Sequence, residues 1–258
     1  MSDGEVRYSR HGEVATVIFD RPAARNAMTW RMYEQLAEIC TRIANEPGLR
    51  VAVFRGAGGK AFVAGTDIAQ FAAFRSADDG LAYEAKMEGF IGGLEALPVP
   101  TLAVIEGFAI GGGLAIAAAC DLRIATPGSR FGVPIARTLG NCLSMANCAR
   151  LVAAFGASRA KRILLLAENL SAEEALAAGF LAEIVAPGDL ERRVAELTRQ
   201  LANHAPITMR VSKEAIRRLL HAAIPDDSDL LRACYGSEDF RVGVASFVDK
   251  REPRWTGK

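Results

Sequence analysis

The chain has 258 residues, half of them hydrophobic, and Lys plus Arg number 31 against 30 Asp plus Glu, a formal net charge of +1. That length and apolar content predict one large domain, or a main domain with a small appendage, around a sizeable core. The balanced charge gives no ground for nucleic acid or an anionic membrane as a partner, and the longest apolar run, Leu114–Cys120, is far too short to span a bilayer.

The first residues, MSDGEVRYSRHGEV, lack the apolar stretch of a secretory signal. Val14–Phe19 reads as a buried strand ending at the turn Asp20-Arg21-Pro22. Thr29 is a helix N-cap, and Met32, Leu36, Ile39 and Ile43 follow at helical spacing until Glu46-Pro47-Gly48 stops the run. Val51–Phe54 is a second strand, and the glycine-rich segment RGAGGKAFVAGTD after it reads as a loop. Helical patterns cover Ile68–Phe74 and Leu81–Leu97, then Thr101–Ile105 is a third strand and Leu122–Ala125 a fourth, separated by AIGGGLAIAAACD.

This alternation predicts an α/β protein with largely parallel sheets. From Ser144 onward the pattern is mostly helical, at Met145–Phe155, Ser158–Leu166, Ser171–Ala178, Leu190–His204 and Ile207–Leu220, with a short strand at Ala182–Val185. A boundary is expected at His204-Ala205-Pro206, between a body of residues 1–204 and a helical region of residues 205–258. Cys40, Cys120, Cys142, Cys148 and Cys234 include no CxxC pair and read as reduced thiols, which predicts a cytoplasmic protein. The acidic pairs Asp78-Asp79 and Asp226-Asp227 read as solvated turns, not metal sites.

Two glycine-rich segments carry the functional signal. Gly56–Ala61 lacks the spacing of a phosphate-binding P-loop, since position 54 is Phe and Ala61 stands where Ser or Thr would hold magnesium. Neither does GFAIGGGLA form a dinucleotide GxGxxG. What AGTD and GGG share is a position after a strand and at a helix start, where free N–H groups point outward and favour negative charge. Two such donors on one carbonyl oxygen make an oxyanion hole, which supplies about 3–4 kcal/mol per donor in the transition state. The residues alone leave a second role open: glycines that let a helix pack tightly on a sheet.

The order DRPAARNAM (Asp20–Met28), AFVAGTDI (Ala61–Ile68), PTLAVIEGFAIGGGLAIAAACDLRIA (Pro100–Ala125) and FGVP (Phe131–Pro134), with FVDKREPRWTG near the C-terminus, closely resembles the enoyl-CoA hydratase/isomerase, or crotonase, superfamily. The resemblance implies a crotonase-type spiral of ββα units with a helical C-terminal region that packs homotrimers or dimers of trimers. It implies an acyl-CoA thioester substrate, with coenzyme A part of that substrate and no permanently bound cofactor or metal. The thioester oxygen would sit between the backbone N–H groups of Thr66 and Gly112. Ala24, Arg25 and Ala27, with Ala64, Gly65, Thr66, Asp67 and Ile68, match the CoA-cradling segments, Asp67 also supporting its loop. Phe247 and Lys250 match tail positions that approach the CoA of a neighbouring subunit.

The pattern breaks at the proton-transfer residues. Hydratases of this family carry one glutamate in GGGxE and another in FGxPE, and here those positions are Ala115 and Ile135. The following segment, ARTLGNCLSMANCAR, is shorter than its counterpart and lacks PGxGG. General acid–base groups contribute about 10²–10⁴-fold, so ordinary two-glutamate hydration is expected to be severely impaired. His11, His204 and His221 fall away from the motifs. Cys142 matches the position where the dehalogenase branch places an aspartate, and would act as base or nucleophile only with a lowered pKa. Arg137 is a candidate to orient or polarise an acyl group. The expected reaction is isomerisation, hydrolysis, decarboxylation or C–C cleavage through an enolate or tetrahedral species. The alternative is a catalytically inactive CoA-ester-binding or partner subunit.

Overall fold

A computed structural model describes residues 4–222, 224 and 226–257. It opens with an antiparallel pair, β1 (Glu5–His11) and β2 (Val14–Asp20), with Glu5 opposite Asp20 and His11 opposite Val14. β1 is the edge strand, and only Val6 of its seven residues is buried, so it carries no apolar alternation to read in advance. Thr29 caps α1 (Trp30–Asn45) by accepting the Met32 N–H at 3.3 Å, and the helix buries Met32, Leu36, Ile39 and Ile43 as their spacing predicts.

Three strand–strand–helix units follow: β3 (Val51–Gly56), β4 (Ala61–Val63) and α2 (Ala77–Glu95); β5 (Thr101–Ile105), β6 (Phe108–Ile110) and α3 (Gly112–Ala119); β7 (Leu122–Ala125), β8 (Arg130–Gly132) and α4 (Ile135–Thr138). In each unit the first strand joins one sheet and the second joins another. The chain continues through α5 (Met145–Leu165), β9 (Asn169–Ser171), α6 (Ala172–Ala177), β10 (Glu183–Ile184), α7 (Leu190–Asn203), α8 (Pro206–His221), α9 (Ser228–Tyr235) and α10 (Glu238–Val248). One sheet has the order β1-β2-β3-β5-β7-β10, parallel beyond the first pair, and the other β4-β6-β8-β9, parallel except at β9. This is the expected spiral of ββα units. β4 lies inside the segment read as loop, because three residues are too few to show a period. At Gly156, with φ 73°, α5 is kinked between the two helices expected there.

Every residue of β5 is buried, because both faces of the large sheet are covered. Ala52, Phe54, Ala103 and Ile105 face the main core. Val53, Leu102, Val104 and Ile124 face a second cluster, closed by Leu190, Val194 and Leu197 of α7. The region beyond residue 204 is fastened back onto this body. Lys213 donates to Val99 O at 3.0 Å and to Asp121 Oδ2 at 2.7 Å, and the same carboxylate accepts the Thr101 N–H at 2.7 Å. Asp227 accepts the Met145 N–H at the start of α5, so that acidic pair is partly structural.

Candidate active site

The second strand of each unit delivers a loop to one cavity. Beyond β4 the backbone turns at Gly65, with φ 110°, and presents Thr66. Beyond β6 it turns at Gly111, with φ 55° and ψ −120°, into the first turn of α3. Each glycine of the triplet has its own reason. Gly111 adopts a conformation that a side chain resists. A Cβ on Gly112 would overlap the Tyr33 hydroxyl, with Thr66 Oγ1 3.0 Å away, and one on Gly113 would overlap the Val63 carbonyl. The packing reading holds at Gly113, which lets α3 pack on β4, while Gly111 and Gly112 bring the backbone up beside Thr66.

Among the described residues, no backbone carbonyl accepts the N–H of Thr66 or of Gly112. Their neighbours are engaged: Gly111 donates to Gly132 O at 2.8 Å, Asp67 to Met28 O at 2.8 Å and Leu114 to Gly111 O at 3.0 Å. Behind the pair, the hydroxyls of Tyr33 and Thr66 are hydrogen-bonded at 2.8 Å, and the Tyr33 ring stacks on Phe90 with centroids 5.6 Å apart. Burial pushes the Tyr33 phenol above its ordinary range, so it stays neutral at the site.

Both donors line a cavity of about 840 Å³. Its rim includes the exposed Arg25, whose guanidinium lies 5.4 Å from the Phe108 ring centre, with Ala24 and Ala27 beside it. Buried Asn26, with φ 58°, holds this segment in place: its Oδ1 accepts the Arg21 N–H at 2.9 Å, and its Nδ2 donates to Ala57 O at 2.9 Å and Ala61 O at 2.8 Å. Arg21 bridges to Asp67 at 2.9 Å, tying the same segment to the Thr66 loop. Ala64, Gly65, Asp67 and Ile68 also line the cavity, so the structure brings every expected CoA-cradling position to one place.

Phe247 and Lys250, matched to tail positions that approach CoA, line this cavity too. Local packing holds α10 against it. Phe240 of α10 sits 6.1 Å from Phe71 and 4.9 Å from Tyr235, and Gly243 lies against the Leu139 carbonyl, where a Cβ would overlap it.

Part of the cavity wall is apolar: Ala115 and Ile135 line it, with Met87, Ile91, Leu139 and Leu143. The two positions that lack glutamate therefore do face this space. Arg137 is exposed and Cys142 is half-buried, and neither belongs to the lining. The Cys142 thiol is pushed up by its hydrogen bond to Cys234 and by burial, the opposite of what a reactive thiolate needs.

Glu84 of α2 is the residue that sequence reading missed. It is 4% exposed and lines the cavity. Its Oε1 accepts the Tyr235 O–H at 2.6 Å and its Oε2 accepts the Ser144 N–H at 3.1 Å. Burial raises it from 4.5 to about 7, against the lowering effect of those two hydrogen bonds. A signal was present: Glu84, Met87, Ile91 and Leu94 fall at helical spacing, so an acid stands on the buried stripe of α2.

Glu84 has a consequence for stability. An acid whose pKa is raised by folding favours the folded state in full below its unfolded value, and that contribution is lost as pH rises through the folded value. Here the window runs from 4.5 to about 7, and the loss is on the order of 3 kcal/mol. The thermal midpoint of Glu84→Gln, relative to the parent, is expected to rise by at least several degrees between about pH 5 and about pH 8. Parallel midpoints at the two pH values would contradict this ionisation.

The fold and the site together define a spiral ββα protein in which two backbone N–H groups, a set of small residues and a buried carboxylate line one cavity. A profile of the enoyl-CoA hydratase/isomerase family matches residues 9–258. The chain belongs to that family of acyl-CoA-processing enzymes. It is 31% identical to a short-chain-enoyl-CoA hydratase of Clostridium acetobutylicum over 98% of this chain and 97% of the relative. A solved enoyl-CoA hydratase/carnithine racemase from Magnetospirillum magneticum superposes with a TM-score of 0.80 at 32% identity, over 98% of this chain and 96% of that one. A methylmalonyl-CoA decarboxylase in complex with 2-nitronate-propionyl-CoA superposes with a TM-score of 0.89 at 26% identity, over 98% of both chains.

Proposed function

We propose that this chain acts on an acyl-CoA thioester, holding the thioester oxygen between the N–H groups of Thr66 and Gly112 while enolate charge develops on it, and that it does not hydrate by the two-glutamate route. The observation that carries the reading is the pair of unengaged N–H groups beside one another in the cavity that Ala24, Arg25 and Ala27 also line. Fixed dipoles aimed at an oxygen stabilise charge only as it appears, so they lower the barrier to enolate formation more than they tighten substrate binding. The enolate forms by loss of an α-proton or by loss of carbon dioxide from a β-carboxyacyl group, and the likeness to a methylmalonyl-CoA decarboxylase keeps the second in the test. Arg25 and Lys250 at the rim are placed to meet the phosphates of CoA. Arg137 and Cys142 lie outside the lining and have no step in this mechanism.

An oligomer through the helical region, a trimer or a pair of trimers, belongs to the same proposal. It is supported by the exposed Ile207, Val211, Ile216 and Leu219 on α8. Among the described residues no helix is long and apolar enough to cross a membrane.

The test is incubation with enoyl-, 3-hydroxyacyl- and malonyl-type CoA esters in D₂O, followed by mass spectrometry. The expected result is deuterium at the α-carbon or an enolate-derived product with at least one ester, and crotonyl-CoA hydration slow by about 10²–10⁴-fold relative to a two-glutamate hydratase. Binding without turnover or exchange across the panel would make the chain a CoA-ester-binding protein instead.

A further inference from the structure

Among the described residues, Asp67 and Glu84 are the carboxylates that line the cavity, and they stand in different surroundings. Asp67 is ion-paired with Arg21 at 2.9 Å and is 26% exposed at its side chain, which suits a support for its loop. Among the described residues, Glu84 forms no ion pair. The carboxylates of Asp227 and Glu88, the phenols of Tyr33, Tyr83 and Tyr235, and the thiols of Cys142, Cys148 and Cys234 are the titratable groups coupled to it from the surrounding elements. Arg150, nearby on α5, is engaged by Glu88 at 2.6 Å and Glu95 at 2.8 Å. Asn141 also lines the cavity, and its side chain hydrogen-bonds the Tyr235 phenol that donates to Glu84.

We propose that Glu84 is the proton-transfer residue of this site, its carboxylate removing the α-proton of the bound acyl-CoA and its carboxylic acid returning a proton to the enolate. The assignment rests on the oxyanion-hole reading above. In the forward step the C–H bond breaks, an O–H bond forms on Glu84, and the electron pair moves to the thioester oxygen held by Thr66 and Gly112. In the return step the Glu84 O–H, its proton replaced from solvent, delivers a solvent-derived proton to the α-carbon, giving exchange, or Glu84 delivers its proton to the γ-carbon of an enoyl group, giving isomerisation. After decarboxylation, the same acid protonates the enolate. Each Glu84 oxygen accepts one hydrogen bond and keeps a further lone pair, so the group is held in place without being blocked. Burial sets its titration at about 7, where acid and base forms coexist at neutral pH.

The test compares α-proton exchange by the parent, Glu84→Gln and Tyr235→Phe with the ester that exchanges best. Glu84→Gln is expected to slow exchange by about 10²–10⁴-fold while CoA-ester affinity changes by less than threefold. The parent rate is expected to rise with pH and level off above about 7. That inflection is expected to be absent from the residual rate of Glu84→Gln. In Tyr235→Phe it is expected to move to higher pH, because the phenol's hydrogen bond favours the carboxylate. This second variant keeps the test decisive if Glu84→Gln folds poorly. Exchange near the parent rate in Glu84→Gln, or an unmoved inflection in Tyr235→Phe, would overturn the assignment and leave the oxyanion hole standing. A parent that exchanges no ester and makes no enolate product would overturn both.

Discussion

Gly112→Ala is expected to lower turnover of the best thioester substrate by about 10²–10³-fold, the loss associated with one oxyanion-hole donor. The added Cβ would overlap the Tyr33 hydroxyl and approach Thr66 Oγ1 to 3.0 Å. Tyr33 cannot yield cheaply, because its ring is fully buried and stacked on Phe90. Relief must come from the Gly112 backbone or from Thr66, and either movement takes a donor away from the thioester oxygen. The loss should fall on kcat more than on KM, since the interaction strengthens only as charge develops. Steady-state kinetics on a folded variant checks it, and parent-like kcat would place the oxyanion elsewhere.

The second large effect is a gain. Ala115→Glu combined with Ile135→Glu is expected to raise crotonyl-CoA hydration by about 10²-fold or more, within the range general acid–base groups supply. Both positions line the cavity wall. Ala115 lies in the first turn of α3, where a carboxylate is favoured by the helix dipole. Each single variant should gain little, because one carboxylate cannot both hold water and deliver the second proton. The new groups also share the cavity with Glu84, and mutual repulsion will raise their pKa values, so the gain should be larger toward alkaline pH. A folded, ester-binding double variant with unchanged hydration would show that the missing carboxylates are not what limits that reaction.

Much of this site was legible in the chain because backbone chemistry leaves a local mark. Gly111, Gly112 and Gly113 stand together since one needs a positive φ and two need space, and those constraints lie within three residues. Asp20–Met28 was readable only through the family resemblance, and the structure supplies the reason for its form: Asn26 binds Arg21, Ala57 and Ala61. Glu84 was not legible, because its meaning comes from partners at 144 and 235 that the fold alone brings to it. Its place on the apolar stripe of α2 was the available sign. Cys142 illustrates the converse, since register placed it near the reaction while its thiol is engaged with Cys234. The strands β1 and β4 escaped for lack of an apolar period, one being an edge and the other only three residues long.

The central claim is that the backbone at Thr66 and Gly112 polarises a thioester carbonyl. Infrared difference spectroscopy of an acyl-CoA labelled with ¹³C at that carbonyl tests it most directly, in the parent and in Gly112→Ala. The stretch is expected to move to lower wavenumber on binding to the parent and to return toward its solution value in the variant. A carbonyl that binds to the parent at its solution frequency would contradict the account.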